Sequence, residues 1–264
     1  MRWHLSSAAF LGIVGTGMFF VLWEALSHSG LVNEVMLPAP TSIAVTAYHM
    51  IESGELVRHL WSSICRALVG YAAGTVLAIC LGVLMAQVQM LDRLLNPLLQ
   101  MFRAVPSLAF VPLAIFWFGV GEVSKIFLIA WGVFFPVWVS TYVGVRDANP
   151  LLLRAAESLG ARGWRNLIFV VLPGALPLIL TGMRVSLSVA LVVLVAAELA
   201  GAVFGVGYLI QMSQQVFRVD QMFVGLICLG ILGFGADRIF EALIGVCFPW
   251  YGADRALMER RHRR

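Results

Sequence analysis

About six stretches of roughly twenty apolar residues set the limits on what this chain can fold into. A backbone immersed in hydrocarbon must satisfy its own polar groups, so such stretches become helices. They fall at residues 8–26, 62–86, 94–118, 123–145, 176–200 and 222–248. The remainder is poor in charge: 12% of the 264 residues are Asp, Glu, Lys or Arg and 61% are hydrophobic, against about 25% charged in soluble domains. The sequence therefore predicts an all-α membrane protein with about six transmembrane helices. It shows no internal repeat and no linker, and reads as one membrane domain over residues 1–264. The first stretch follows Arg2 and lacks a clean small-x-small cleavage site, so it reads as an uncleaved anchor.

In such a chain the net charge of +4 bears on topology, and nucleic acid is not an expected partner. With the N-terminus in the cytoplasm, Arg2, Arg93, Arg146, Arg154, Arg162 and Arg165 face inward. The tail residues Arg255, Arg260, Arg261, Arg263 and Arg264 join them. Only Arg58, Lys125 and Arg218 face outward. The positive-inside rule favours this arrangement, with both termini cytoplasmic. The basic tail also suits anionic headgroups of the lipid bilayer.

Several chemistries have no support in the residues. Lys125 is the only lysine, and it lies between Ser124 and Ile126, so there is no Gly-Lys-Ser/Thr phosphate loop. No two of His4, His28, His49, His59 and His262 are three or four positions apart, which removes a helical two-His metal site. Cys65, Cys80, Cys228 and Cys247 sit in apolar sequence and read as small packing residues. No nucleophile elbow is present. The expectation is a non-catalytic membrane subunit that binds no metal and no cofactor.

One segment interrupts the hydrocarbon. Arg154 to Pro173 reads RAAESLGARGWRNLIFVVLP, too polar to cross a bilayer, and the topology above puts it in the cytoplasm. Ala155, Ala156, Gly160, Val170, Leu172 and Pro173 stand at the spacing of the EAA loop, and the segment resembles that loop in the permease subunits of type I ABC importers. Arg154 occupies the position of the family's Glu, and Glu157 lies one turn on. The resemblance implies a coupling loop over residues 146–173, with a short helix seated in a groove of a separate ATPase. Its contact residues would be Arg154, Ala155, Ala156, Glu157, Leu159, Gly160, Ala161 and Trp164. Small residues there permit close backbone approach.

Further motifs are similar to the nitrate, sulfonate and taurine branch of that family. Leu37-Pro38-Ala39-Pro40 follows the first span, and Ser63 and Arg66 open the second. Pro106 and Pro112 precede Trp117, Phe118, Gly119, Gly121, Glu122 and Lys125. Thr181, Gly182 and Arg184 are followed by Ala197-Glu198-Leu199, then by Gly205, Gly207, Tyr208, Leu209 and Ile210. The likeness runs from Leu37 to Arg238. It implies the type I importer permease fold in a bacterial inner membrane and a second permease chain forming a homodimer. It also implies two copies of a cytoplasmic ATPase that bind ATP and Mg, and an extracytoplasmic solute-binding protein. The implied cargo is a small anion of the sulfonate, taurine, nitrate or bicarbonate type.

The residues add expectations of their own. A charge at the bilayer centre costs about 2.5–3.5 kcal/mol, so Arg66, Arg103, Arg184, Glu198, Asp237 and Arg238 need partners or water. Glu198 is the deepest. It is too far along one helix to pair with Arg184, and Arg66 is its candidate partner at an outer gate. Asp237 with Arg238 reads as a structural pair or an inner-interface anchor. Pro106 and Pro112 each free a backbone carbonyl, which suits a cavity wall. Pathway candidates are thus Arg66, Pro106, Pro112, Arg184 and Glu198. Residues 41–53 read as an amphipathic surface helix with Ile43, Ala44, Ala47, Tyr48 and Ile51 on one face. The alternative function, an autonomous secondary transporter or channel, calls for internal repeats or an ion-coupling motif, and neither is visible.

Overall fold

The computed structural model describes residues 3–30, 33 and 35–248. Arg2 and the basic tail residues Arg255, Arg260, Arg261, Arg263 and Arg264 lie outside the described residues. In chain order the helices are α1 (Trp3–His28), α2 (Pro40–Glu52), α3 (Glu55–Gln87), α4 (Gln89–Ala104) and, after a 3₁₀ turn at Ser107–Phe110, α5 (Val111–Phe118). Then come α6 (Glu122–Arg146), α7 (Pro150–Ser158), α8 (Trp164–Asn166), a π-helical turn at Leu167–Val171, α9 (Leu172–Leu199), α10 (Val206–Gln215) and α11 (Val219–Cys247). Among the described residues, five helical stretches are long and apolar enough to cross a membrane: Phe10–His28, Glu55–Gln87, Glu122–Arg146, Trp164–Leu199 and Val219–Cys247. Gln89–Ala104 and Ser107–Phe118 pass the same test only as a pair bent by 92°, the geometry of a broken span or a re-entrant loop.

That bend falls inside the stretch 94–118, which hydropathy alone treats as continuous. Its cause is local. Pro106 has no N–H to donate, and a proline pushes the residue before it out of the helical region. Val105 accordingly has φ −85° and ψ 124°. Pro112 sits in the first turn of α5, where a missing N–H costs nothing.

Among the described residues, those up to 62 together with 203–229 form one compact unit, and 63–202 together with 230–248 another. In the first unit, Glu24 of α1 accepts from the Thr41 hydroxyl at 2.6 Å and from the Thr41 amide at 3.2 Å. This holds the start of α2. The buried residues of α2 are Ile43 and Met50, while Tyr48 and Ile51 are exposed.

The core of the second unit is built on α6 and α9, which pack along much of their lengths. Small residues set the spacing. A Cβ on Gly182 of α9 would stand 2.5 Å from the Ser140 side chain of α6. On α3, Gly70, Gly74, Ala78 and Gly82 recur every fourth position and form one smooth ridge along the helix. A Cβ on Gly74 would meet the Ala130 carbonyl oxygen at 2.5 Å, so only hydrogen fits where α3 crosses α6. Leu128, Ile129, Val133, Trp138 and Leu194 fill the buried interior around this crossing.

Candidate functional site

Three features of the second unit bear on function, and the first is a buried charge cluster. Arg66 projects from α3 and is 4% exposed; Glu198, near the end of α9, is fully buried. Arg66 Nη1 donates to Glu198 Oε1 at 2.8 Å, and the Ser63 hydroxyl donates to the same oxygen at 2.7 Å. The other edge of the guanidinium faces Glu122, at the start of α6: Nε donates to Oε2 at 2.5 Å and Nη2 to Oε1 at 2.7 Å. Lys125, one turn on, donates to the Gly121 carbonyl at 2.9 Å and lies 3.9 Å from Glu122. Two cations and two carboxylates thus balance. Arginine suits the position because its planar fork serves two carboxylates at once.

The expected Arg66–Glu198 contact is present. Glu122 is the member that residue-by-residue reading did not assign, although it stands in the motif that ends on Lys125. Arg184 belongs elsewhere. Its Nε and Nη2 donate to the two oxygens of Asp237 at 2.8 Å each, and Nη1 lies 3.0 Å from Glu241. Asp237 is therefore tied across to α9, and Arg238 instead lies 3.4 Å from Glu241. Neighbours in sequence point in different directions on a helix, which is why the expected Asp237–Arg238 pair does not form.

The second feature is a cleft of about 430 Å³ between the bend and the α6–α9 pair. Pro106 lines it, together with Arg103, Ser107 and Ser140; Pro112 is not among its lining residues.

The third feature is the polar segment between α6 and α9. Asn149 caps α7 by accepting from the Leu151 amide at 2.9 Å, and Pro150 occupies the first turn, a common helix start. The stop is equally local. Gly160 has φ +87°; its N–H donates to Glu157 O, and the Ala161 N–H donates to Ala156 O, both at 3.0 Å. This is a Schellman cap, which favours glycine at the left-handed position. A Cβ there would meet nothing within 4 Å, so within this chain Gly160 serves backbone conformation, not close packing. Arg154, Ala155, Ala156 and Glu157 lie on α7, Leu159, Gly160 and Ala161 in the turn, and Trp164 at the start of α8. The short helix expected in this loop is thus α7, which ends at Ser158. Leu153 packs on Val145, Leu167, Val171 and Ala175, which fixes the segment against α6 and α9. The other end of α4 is fixed close by in sequence: Tyr142 donates to Asp92 at 2.8 Å, and Arg146 reaches both.

Residues 78–244 match the family described as binding-protein-dependent transport system inner membrane component. This chain belongs to that family. The permease is 38% identical over 239 residues to the putative aliphatic sulfonates transport permease protein SsuC of Bacillus subtilis, covering 90% of this chain and 87% of the relative. It is 34% identical over 256 residues to the taurine transport system permease protein TauC of Escherichia coli, covering 95% and 93%. A riboflavin transport system permease protein, RibX of Chloroflexus aurantiacus, is 31% identical over 215 residues, covering 81% and 80%. Among solved structures, a chain of the MetNI methionine ABC transporter superposes with a TM-score of 0.58 at 22% identity, covering 71% of this permease and 95% of that chain. The fold is that of ABC importer permeases. The protein is a multi-span inner-membrane permease subunit of an ABC importer, a non-catalytic component of a binding-protein-dependent system.

Proposed function

We propose that the permease works as a homodimer that carries a small anion, of the sulfonate or taurine type, from an extracytoplasmic solute-binding protein into the cell. Each copy seats a cytoplasmic ATPase on residues 146–173, and ATP and Mg are bound and turned over by that partner alone. Both termini lie in the cytoplasm. Support for the cargo comes from the sulfonate and taurine relatives, which align over nearly the full chain.

The observation that carries the docking assignment is exposed apolar surface in a segment expected to face water. Leu159 is 89% exposed, and Leu151 and Trp164 are each 71% exposed. Side chains of this size on an ordered aqueous loop mark a protein contact. The Schellman turn projects Leu159 and Trp164 beside α7, and Leu153 keeps the segment rigid enough to pass on a push.

The test replaces Leu159 and Trp164 with Ser in the permease expressed with its ATPase and binding protein. Membrane insertion should be unchanged, while ATPase co-purification and binding-protein-stimulated ATP hydrolysis should fall at least tenfold. Retention of both would remove the docking assignment.

A further inference from the structure

We infer that Arg103, at the bend between α4 and the 3₁₀ turn, is the anion-recognition point of the cleft it lines. The inference rests on the anion-import reading above and assigns that reading a place in the molecule.

Position comes first. The cleft takes Phe135 and Ser140 from the middle of α6, and Val185 and Val189 from the middle of α9. Both helices are long and apolar enough to cross a membrane, so the cleft lies near half depth. The break at Val105–Pro106 brings the end of α4 to that level. Arg103 is the one charged residue lining the cleft.

Energetics come second. Among the described residues, Arg103 has no carboxylate within ion-pair distance, unlike Arg66, Arg146, Arg184, Arg218 and Arg238. An arginine at a helix centre costs about 2.5–3.5 kcal/mol to insert. Arg103 lies in the last turn of α4, where the helix dipole returns only about 0.3–1 kcal/mol. The balance must come from water and anions admitted to the cleft.

Chemistry comes third. A guanidinium presents a planar fork that matches two oxygens of a sulfonate or carboxylate. The hydroxyls of Ser107 and Ser140 also line the cleft and can donate to a third oxygen. Phe135, Val185 and Val189 supply an apolar wall for a short carbon chain. The volume of about 430 Å³ falls in the range for small-molecule sites, roughly 300–1,000 Å³. Arg103 thus selects for an anionic head and leaves the rest of the cargo loosely specified.

The test reads local anion preference without requiring transport. In full-length permease with Cys65, Cys80, Cys228 and Cys247 replaced by Ala, Ser140→Cys is reacted in phosphatidylcholine vesicles with two methanethiosulfonates. One carries a sulfonatoethyl group and the other a trimethylammonium group, each rate being normalised to a free thiol. The anionic reagent should be favoured on the order of tenfold, as a positive lining concentrates counter-ions. Arg103→Gln should abolish the preference and Arg103→Lys should keep most of it. Phe217→Cys, on an exposed turn, serves as the folding control, and its ratio should not respond to Arg103. A Ser140→Cys ratio that ignores Arg103→Gln, as it would if the guanidinium sat against lipid phosphate, overturns the proposal. Taurine uptake by the assembled transporter is measured separately. Its absence in the parent would count against the cargo reading, while the labelling ratio would still decide Arg103.

Discussion

Arg66 and Glu198, 132 positions apart, meet through a hydrogen bond of 2.8 Å with both side chains withdrawn from solvent. Removing one member of a buried pair strands the other and costs about 3–5 kcal/mol, whereas replacing both with apolar groups is often neutral. Glu198→Gln should therefore lower the unfolding free energy of the detergent-solubilised permease by an amount of that order and depress uptake. Arg66→Met combined with Glu198→Leu should recover most of the stability without the uptake. Denaturant titration of the two variants against the parent decides the matter. A Glu198→Gln variant as stable as the parent would refute a structural role for the pair.

Gly74 and Gly230 make a matched comparison. The Cβ of an alanine at Gly74 would overlap the Ala130 carbonyl at 2.5 Å, while one at Gly230 would meet nothing within 4 Å. Overpacking a close contact costs about 1–3 kcal/mol, and removing glycine from an open helix position gains about 0.5–1 kcal/mol. Gly74→Ala should therefore lower the melting temperature and Gly230→Ala should hold or raise it. Equal shifts would mean that the α3–α6 contact is looser than described.

Gly160 separates two explanations of a small residue in the proposed docking loop. With φ at +87°, any residue with a side chain is disfavoured, by about 1–2 kcal/mol for most and least for Asn. Gly160→Asn should therefore preserve ATPase coupling and Gly160→Ala should weaken it in part, despite the smaller side chain. Ala155→Trp leaves the backbone undisturbed and should block docking outright. Coupled ATP hydrolysis in reconstituted complexes gives the ranking. If Asn proves worse than Ala, bulk and not conformation is the governing factor.

The all-helical membrane fold was legible because the cost of burying polar backbone in lipid is read directly from runs of apolar residues. The Arg66–Glu198 contact was legible for a related reason, since a lone intramembrane acid needs a base at the same depth. The 92° bend was not, because a hydropathy window averages the amphipathic α4 with the strongly apolar α5 and passes over the break between them. The Val105-Pro106 pair is the local signal for it. Glu122 was overlooked as a partner because it looks like an ordinary acidic helix start. Asp237 and Arg238 are adjacent in sequence, but the helix turns them away from each other, and Asp237 pairs with Arg184 instead.

One guanidinium is bonded at once to the beginning of α6 and the end of α9, from a base on α3. Two helix ends and one point on a third helix are thus clamped by a single side chain. The elbow at Pro106 lies outside that clamp, and its two arms meet where the backbone ladder is already interrupted.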